Sequence, residues 1–146
     1  MNTYKLCAFA DEADGTVEGQ IRALTENGIP YLELRGLETG SAIALSDRGA
    51  RELKKRLDDA GVTVWSMGSP IGKIGVTDPF APHVEQFRRT LEVGAILGAK
   101  CVRMFSFYMP KDNPDRARYR DEVLSRLNRL AEEARGSGMA LCHENE

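Results

Sequence analysis

The sequence lacks a long hydrophobic run, and this absence excludes two classes of protein. The longest apolar stretch near the start runs from Leu6 to Ala10, and Asp11 and Glu12 follow it at once. Such a stretch is too short for the core of a secretion signal and far too short to span a bilayer. We therefore expect a cytoplasmic protein with no membrane partner.

Cysteine is scarce. Its three copies, Cys7, Cys101 and Cys142, lie far apart in a chain of 146 residues. None of them has the close C-x-x-C spacing of a zinc site. An odd number of cysteines in a chain without a secretion signal predicts buried, reduced thiols.

The chain has no excess of charge of either sign. Its 20 Lys and Arg residues face 22 Asp and Glu residues, and 42% of the chain is hydrophobic. This composition is typical of a globular protein, and its near-neutral balance removes the electrostatic argument for nucleic acid as a partner. The length fits one domain, and we predict that residues 1–146 form a single domain.

Glycine marks a repeating unit. Four times a helical pattern ends in glycine and an apolar strand begins at once, at Gly28, Gly61, Gly98 and Gly138. Glycine terminates helices because it adopts the left-handed conformation without strain. With a first strand over 4–10, the predicted order is βαβαβαβαβ, which places parallel strands against packed helices. The later strands are predicted at about 30–35, 62–69, 100–107 and 139–144.

The helices between these strands have recognisable starts. Thr16 and Ser46 are predicted to cap the first two helices, and the proline of 113–114 is predicted to open the fourth. His83, near the start of the third helix, is predicted at the surface. The strand-to-helix loops are the longer and more polar ones, so we expect ligands at the carboxyl ends of the strands.

Two α/β architectures fit this order: an open doubly wound sheet, and a (β/α)₈ TIM barrel of which this chain supplies about the first five strands and four helices. No glycine-rich phosphate fingerprint follows the first strand, as a dinucleotide-binding sheet would require. Charged residues lie within predicted strands, at Glu33, Arg35 and Arg103, and the sequence stops at a strand end, at 143–146. These features favour an incomplete TIM barrel.

Four strand ends carry a family resemblance. Leu32–Gly36, Ser69–Lys73, Arg103–Phe107 and His143–Glu146 fall at matching places in the repeating unit. Together they resemble the amino-terminal part of sugar phosphate isomerase/epimerases of the xylose-isomerase-like TIM-barrel superfamily.

This resemblance implies a metal-dependent sugar or sugar phosphate isomerase or epimerase. Such an enzyme moves a proton next to a carbonyl through an enediolate, which a divalent ion, Mn²⁺ or Mg²⁺, stabilises. Glu144 matches the family's fifth-strand glutamate, a metal ligand that also exchanges protons with the substrate carbon. The family's other metal ligands, on strands six to eight, have no counterpart in this chain.

Four further residues are candidates for binding the substrate. Glu33 and Arg35 share one side of their strand, where they line the barrel mouth or pair with each other. Lys73 stands in a loop flanked by glycines, suited to a phosphate or a sugar hydroxyl, although the spacing is not that of a P-loop. A guanidinium in mid-strand demands partners, and for Arg103 we expect Glu33 or Glu144.

Two alternatives keep the fold but change the function. One is a metal-dependent endonuclease, against which the acidic or neutral loops 11–15 and 36–45 argue. The other is a non-catalytic half barrel that associates with a copy of itself, so that pairing covers the edges of the first and fifth strands. In that case the partner is a second copy of the chain or a complementary chain, whereas an isomerase or epimerase takes a small-molecule sugar or sugar phosphate.

Overall fold

The computed structural model describes residues 4–112 and 115–145, in which strands and helices alternate. The parallel strands are β1 (Cys7–Ala8), β2 (Tyr31–Leu34), β5 (Thr63–Gly68), β6 (Cys101–Met104) and β7 (Ala140–His143), and a short hairpin is made by β3 (Gly36–Leu37) and β4 (Gly40–Ser41). The helices are α1 (Val17–Glu26), α2 (Asp47–Asp59), α3 (Ala81–Leu97) and α4 (Arg116–Ala134). The predicted alternation of strand and helix is confirmed.

The order of the strands distinguishes the two predicted architectures. The sheet runs β1-β2-β5-β6-β7, and each neighbouring pair is parallel. A doubly wound sheet reverses its strand order at a switch point, whereas a barrel adds each new strand to the same edge. The described strands therefore form part of a TIM barrel.

Local capping explains where the helices begin. The hydroxyls of Thr16 and Ser46 each accept a hydrogen bond at 3.1 Å from the amide three residues later, as predicted. The predicted start of the fourth helix at 113–114 lies outside the described residues. Within them, α4 begins at Arg116, and the carboxylate of Asp115 accepts a backbone hydrogen bond there.

One face of the sheet packs against the helices. Leu32 and Leu34 of β2 are buried in the same cluster as Phe87 of α3. Because side chains alternate along a strand, Glu33 between them lies on the opposite face, toward the interior of the barrel. Charged residues within strands are thus accommodated by a barrel interior rather than by the core.

The three cysteines do not share one environment. Cys101 is buried, whereas Cys7 and Cys142 are exposed, so the prediction that all three are buried is wrong for two of them. The exposed pair belongs to β1 and β7, which are the edges of the described sheet. All three thiols are free, as predicted, and burial raises the pKa of Cys101.

His83 is buried, with a relative exposure of 5%, so its predicted surface position is wrong. The loop after β5 folds back over the start of α3 and covers the ring, where the amide of Gly72 donates a hydrogen bond to it.

No helix in the described part of the chain is long and apolar enough to cross a membrane.

Candidate functional site

The carboxyl ends of the strands surround a cavity of about 670 Å³. A volume of this size is typical of small-molecule sites. It lies at the end of the sheet where the loop lengths predict ligand binding. Its walls come from β3, β4, β5 and β6 and the segments that follow β1, β2, β5 and β7: Phe9, Glu12, Arg35, Gly36, Ser41, Gly68, Ser69, Pro70, Lys73, Arg103 and Glu144.

Arg103 joins two carboxylates from different strands. Its Nε donates to Oε1 of Glu33 at 2.5 Å, and its Nη1 donates to Oε2 of Glu144 at 2.8 Å. The side chains of Arg103 and Glu33 are 14% and 17% exposed, whereas that of Glu144 is 49% exposed. Both predicted partners of Arg103 are therefore present, and Glu144 keeps an accessible face toward the cavity.

Arg35 forms a second charge cluster at the cavity. Its Nε donates to Asp11 at 2.9 Å and its Nη2 to Glu12 at 3.1 Å. The hydrogen bond to Asp11 is the main cause of a raised pKa for the Arg35 guanidinium. Glu33 and Arg35 thus take different partners, and the predicted alternative that they pair with each other is wrong.

Two aromatic rings support the cationic side chains. The Phe9 ring centroid lies 4.8 Å from the guanidinium carbon of Arg35 and 5.4 Å from that of Arg103. Phe105 lies 5.0 Å from the same atom of Arg103 and 4.2 Å from Nζ of Lys73. The three predicted cationic residues therefore line one cavity, and each makes a cation–π contact there.

The loop that carries Lys73, residues 69–79, is hydrogen-bonded to the segment after β6 much as another strand would be. The amides of Phe105, Phe107 and Tyr108 donate to carbonyls of this Lys73 loop at 2.7–2.9 Å. Ser69 opens the loop, and its hydroxyl donates to the carbonyl of Arg103 at 2.5 Å. The loop therefore presents Lys73 from a fixed backbone.

The described residues do not by themselves complete a cation site. They contain no group of three or more His, Cys, Asp or Glu side chains placed to hold a metal ion. Glu144 offers a single carboxylate, one oxygen of which accepts from Arg103. Divalent ions such as Mg²⁺ take about six ligands. Glu146, the last residue of the motif at the end of the chain, lies outside the described residues.

The sequence interpretation missed four residues of the site: Phe9 and Glu12 line the cavity, and Asp11 and Phe105 contact its arginines. Asp11 and Glu12 follow the first strand directly, and two carboxylates at the carboxyl end of a parallel strand are a usable signal. Phe9 and Phe105 carried no such signal, because an aromatic residue near a strand end most often packs in the core.

Comparison with known proteins identifies the family. The xylose isomerase-like TIM barrel family matches residues 21–146. None of the curated proteins with which the sequence was compared matches it.

Solved structures share the fold. A D-tagatose 3-epimerase-like protein superposes with a TM-score of 0.76 at 17% identity, over 97% of this chain and 53% of its own. The IOLI protein, solved with a zinc atom, gives 0.75 at 15% identity over 97% and 51%. The D-psicose 3-epimerase of Clostridium cellulolyticum H10, solved with D-tagatose, gives 0.73 at 16% identity over 96% and 52%.

The chain spans about half the length of each of these structures. The match therefore extends over the part of the barrel that the described strands build. With the strand order, the cavity at the strand ends and the family match over most of its length, the chain belongs to the xylose isomerase-like TIM barrel family.

Proposed function

We propose that this chain is the amino-terminal part of a sugar isomerase or epimerase, which moves a proton next to a carbonyl through an enediolate. The observation that carries the proposal is the chain of contacts from Glu33 through Arg103 to Glu144 at the edge of the cavity. Solved proteins of the same fold include D-tagatose and D-psicose 3-epimerases, which supports a sugar as the substrate class.

In this proposal Glu144 exchanges the proton with the substrate carbon. A carboxylate suits this role because it accepts and returns a proton without leaving its position. Arg103 orients Glu144 through one nitrogen, while Glu33 holds the other end of the same guanidinium. Proton transfer depends on a well-placed base, so the buried ion pair of Arg103 and Glu33 serves catalysis by fixing Glu144.

The remaining cavity residues bind sugar hydroxyls. The carboxylate of Glu12, 67% exposed at the wall of the cavity, can accept a hydrogen bond from a hydroxyl. Arg35 and Lys73 offer donors to the sugar oxygens. Phe9, about one-third exposed, offers an apolar face for the carbon-bound hydrogens.

The charges around the cavity favour an uncharged sugar over a phosphorylated one or a nucleic acid. Each arginine already donates to two carboxylates, so a phosphate would compete with groups held in place. A hydroxyl both donates and accepts, and it therefore fits between a guanidinium and a carboxylate. Acidic side chains outnumber basic ones at this site: Asp11, Glu12, Glu33 and Glu144 against Arg35, Lys73 and Arg103.

We also propose that Glu144 is one ligand of a divalent cation, Mn²⁺ or Mg²⁺. The IOLI protein of the same fold was solved with a zinc atom, which supports a metal in this family. Such an ion stabilises negative charge on the oxygens next to the reacting carbon. The described residues do not supply the rest of the ligand set.

We place the enzyme in the cytoplasm. Cys7, Cys101 and Cys142 are free in the described structure. Unpaired thiols are typical of proteins from a reducing compartment. This location also fits an enzyme that acts on a small-molecule sugar.

The test is turnover by the purified protein, expressed from its complete reading frame and supplied with Mn²⁺ or Mg²⁺. D-fructose, D-tagatose and D-psicose are offered as free sugars and as phosphates, and products are separated by chromatography. We expect epimerised or isomerised product from at least one free sugar and much less from its phosphate. Loss of product in Arg103→Met, with Arg48→Met as an exposed control, supports the site. Failure to convert any sugar with either ion contradicts the proposal.

A further inference from the structure

We propose that His83 is a positioning residue for Lys73: its neutral imidazole accepts the amide hydrogen of Gly72 and so fixes the loop that places the lysine at the cavity. The role of Lys73 as a sugar-binding residue rests on the function proposed above. The placement of Lys73 by His83 does not, and it can be measured without any substrate.

The contact is a buried hydrogen bond that joins the Lys73 loop to helix α3. The amide of Gly72 lies 2.7 Å from Nε2 of His83, which belongs to α3. An amide nitrogen can only donate, so Nε2 carries the lone pair and the ring proton sits on Nδ1. Gly72 is the residue directly before Lys73, so any shift of the Gly72 backbone also moves the lysine.

Other contacts hold the Lys73 loop on its far side. Arg126 of α4 is 7% exposed and donates to the carbonyl of Asp78 at 2.9 Å. The carboxylate of Asp78 accepts from the amide of Gly75 at 2.7 Å. These contacts fix residues after Lys73, whereas His83 fixes the residue before it. Both ends of the turn are thus held, and His83 supplies the side-chain contact to the residue directly before Lys73.

The contacts of the Lys73 loop set the position of the Lys73 ammonium group. Its Nζ lies 4.2 Å from the centroid of Phe105, at the wall of the cavity. Phe105 is itself tied to the loop, because its amide donates to the carbonyl of Ile71 at 2.7 Å. A shift of the Lys73 loop therefore changes the position of the ammonium relative to the ring.

Protonation of His83 removes this hydrogen bond, while the backbone hydrogen bond from Phe107 to the carbonyl of Gly72 remains. Both ring nitrogens of an imidazolium are donors, so the Gly72 amide loses its acceptor. The charged group that faces the ring is Arg126, which Glu122 of the same helix neutralises in part at 2.6 Å. Burial, followed by the charge of Arg126, lowers the pKa of His83 below its ordinary value, and the side chain of Gln86 opposes this shift.

The ring current of Phe105 gives a direct readout of the lysine's position. Reductive methylation of the purified protein with ¹³C-formaldehyde labels each lysine, and the Lys73 resonance is assigned by its loss in Lys73→Arg. In the wild-type protein at neutral pH, we expect this resonance to be displaced from the position of an ordinary exposed lysine. As the pH falls through the titration of His83, the displacement should disappear.

Two variants test whether His83 is the cause. His83→Gln keeps an acceptor near the place of Nε2 and cannot be protonated, so the displaced resonance should persist at acidic pH. His83→Leu removes the acceptor, and the displacement should be lost at every pH. Lys5 lies 5.3 Å from the centroid of Tyr31 and 5.2 Å from that of Trp65, so its resonance is an internal control for folding.

The outcomes are distinct. The proposal is overturned if the Lys73 resonance of His83→Leu matches that of the wild type while the Lys5 resonance is also unchanged. If His83→Leu loses both resonances because it does not fold, the pH titrations of wild type and His83→Gln decide, and identical titrations overturn it. Where sugar turnover is observed, His83→Leu should raise KM roughly tenfold with little change in kcat. The absence of turnover in the wild type contradicts the proposed function and leaves the resonance test intact.

Discussion

The guanidinium of Arg103 on β6 donates to the carboxylate of Glu33 on β2, across the strand that separates them. The intervening β5 contributes Gly68 at the point of contact. A Cβ placed on Gly68 would lie 3.1 Å from Oε1 of Glu33 and 3.2 Å from Nη2 of Arg103. The missing side chain therefore opens the space in which two non-adjacent strands exchange a charge-assisted hydrogen bond.

This pair should be strongly coupled in stability. A double-mutant cycle with Glu33→Gln and Arg103→Met should give a coupling of about 1–3 kcal/mol in urea unfolding, because both groups are largely withdrawn from water. The exposed pair of Arg48 and Glu52, at 89% and 62% exposure, is the matched control. Its cycle should give about 0.5 kcal/mol or less. Equal couplings for the two pairs would contradict this account of the interior.

The backbone at Gly72 should be intolerant of any side chain. Gly72 has a φ of +93°, and a Cβ there would lie 2.0 Å from the carbonyl oxygen of Phe105. Gly72→Ala should lower the free energy of unfolding by about 3 kcal/mol or more, because backbone must move as well as adopt a strained conformation.

Gly28 is the control for strain without a clash. Its φ is +63°, and nothing lies within 4 Å of the Cβ position. Gly28→Ala should therefore cost only about 1–2 kcal/mol. Urea unfolding of both variants checks the difference, and a loss as large for Gly28→Ala as for Gly72→Ala would show that the close approach to Phe105 is unimportant.

His83 should make stability depend on pH. Its pKa in the folded protein lies below the ordinary value of 6.5, chiefly through burial, so below that pH the unfolded chain binds more protons than the folded one. By linkage, the free energy of unfolding falls as the pH falls from about 6.5 through the folded-state pKa. The urea midpoint at about pH 5.5 should lie below that at about pH 7.5, and His83→Gln should narrow the gap. An equal gap in both proteins would contradict the assignment to His83.

The sequence predicted the contacts of Arg103 because they follow from topology. Parallel strands bring their carboxyl ends together, so charged residues there become neighbours whatever the loops do. The burial of His83 could not be read in this way, since it depends on the path of the Lys73 loop over α3. The exposure of Cys7 and Cys142 likewise depends on which strands form the sheet edges, and a local pattern of apolar residues does not specify that.

We propose that Glu144 moves a proton at a carbon next to a carbonyl. NMR in ²H₂O, with a sugar that the purified protein turns over, follows the uptake of deuterium at that carbon. We predict uptake by the wild type, a fall of about a hundredfold or more in Glu144→Gln, and no change in the exposed control Glu132→Gln. Uptake by Glu144→Gln at the wild-type rate would contradict the account.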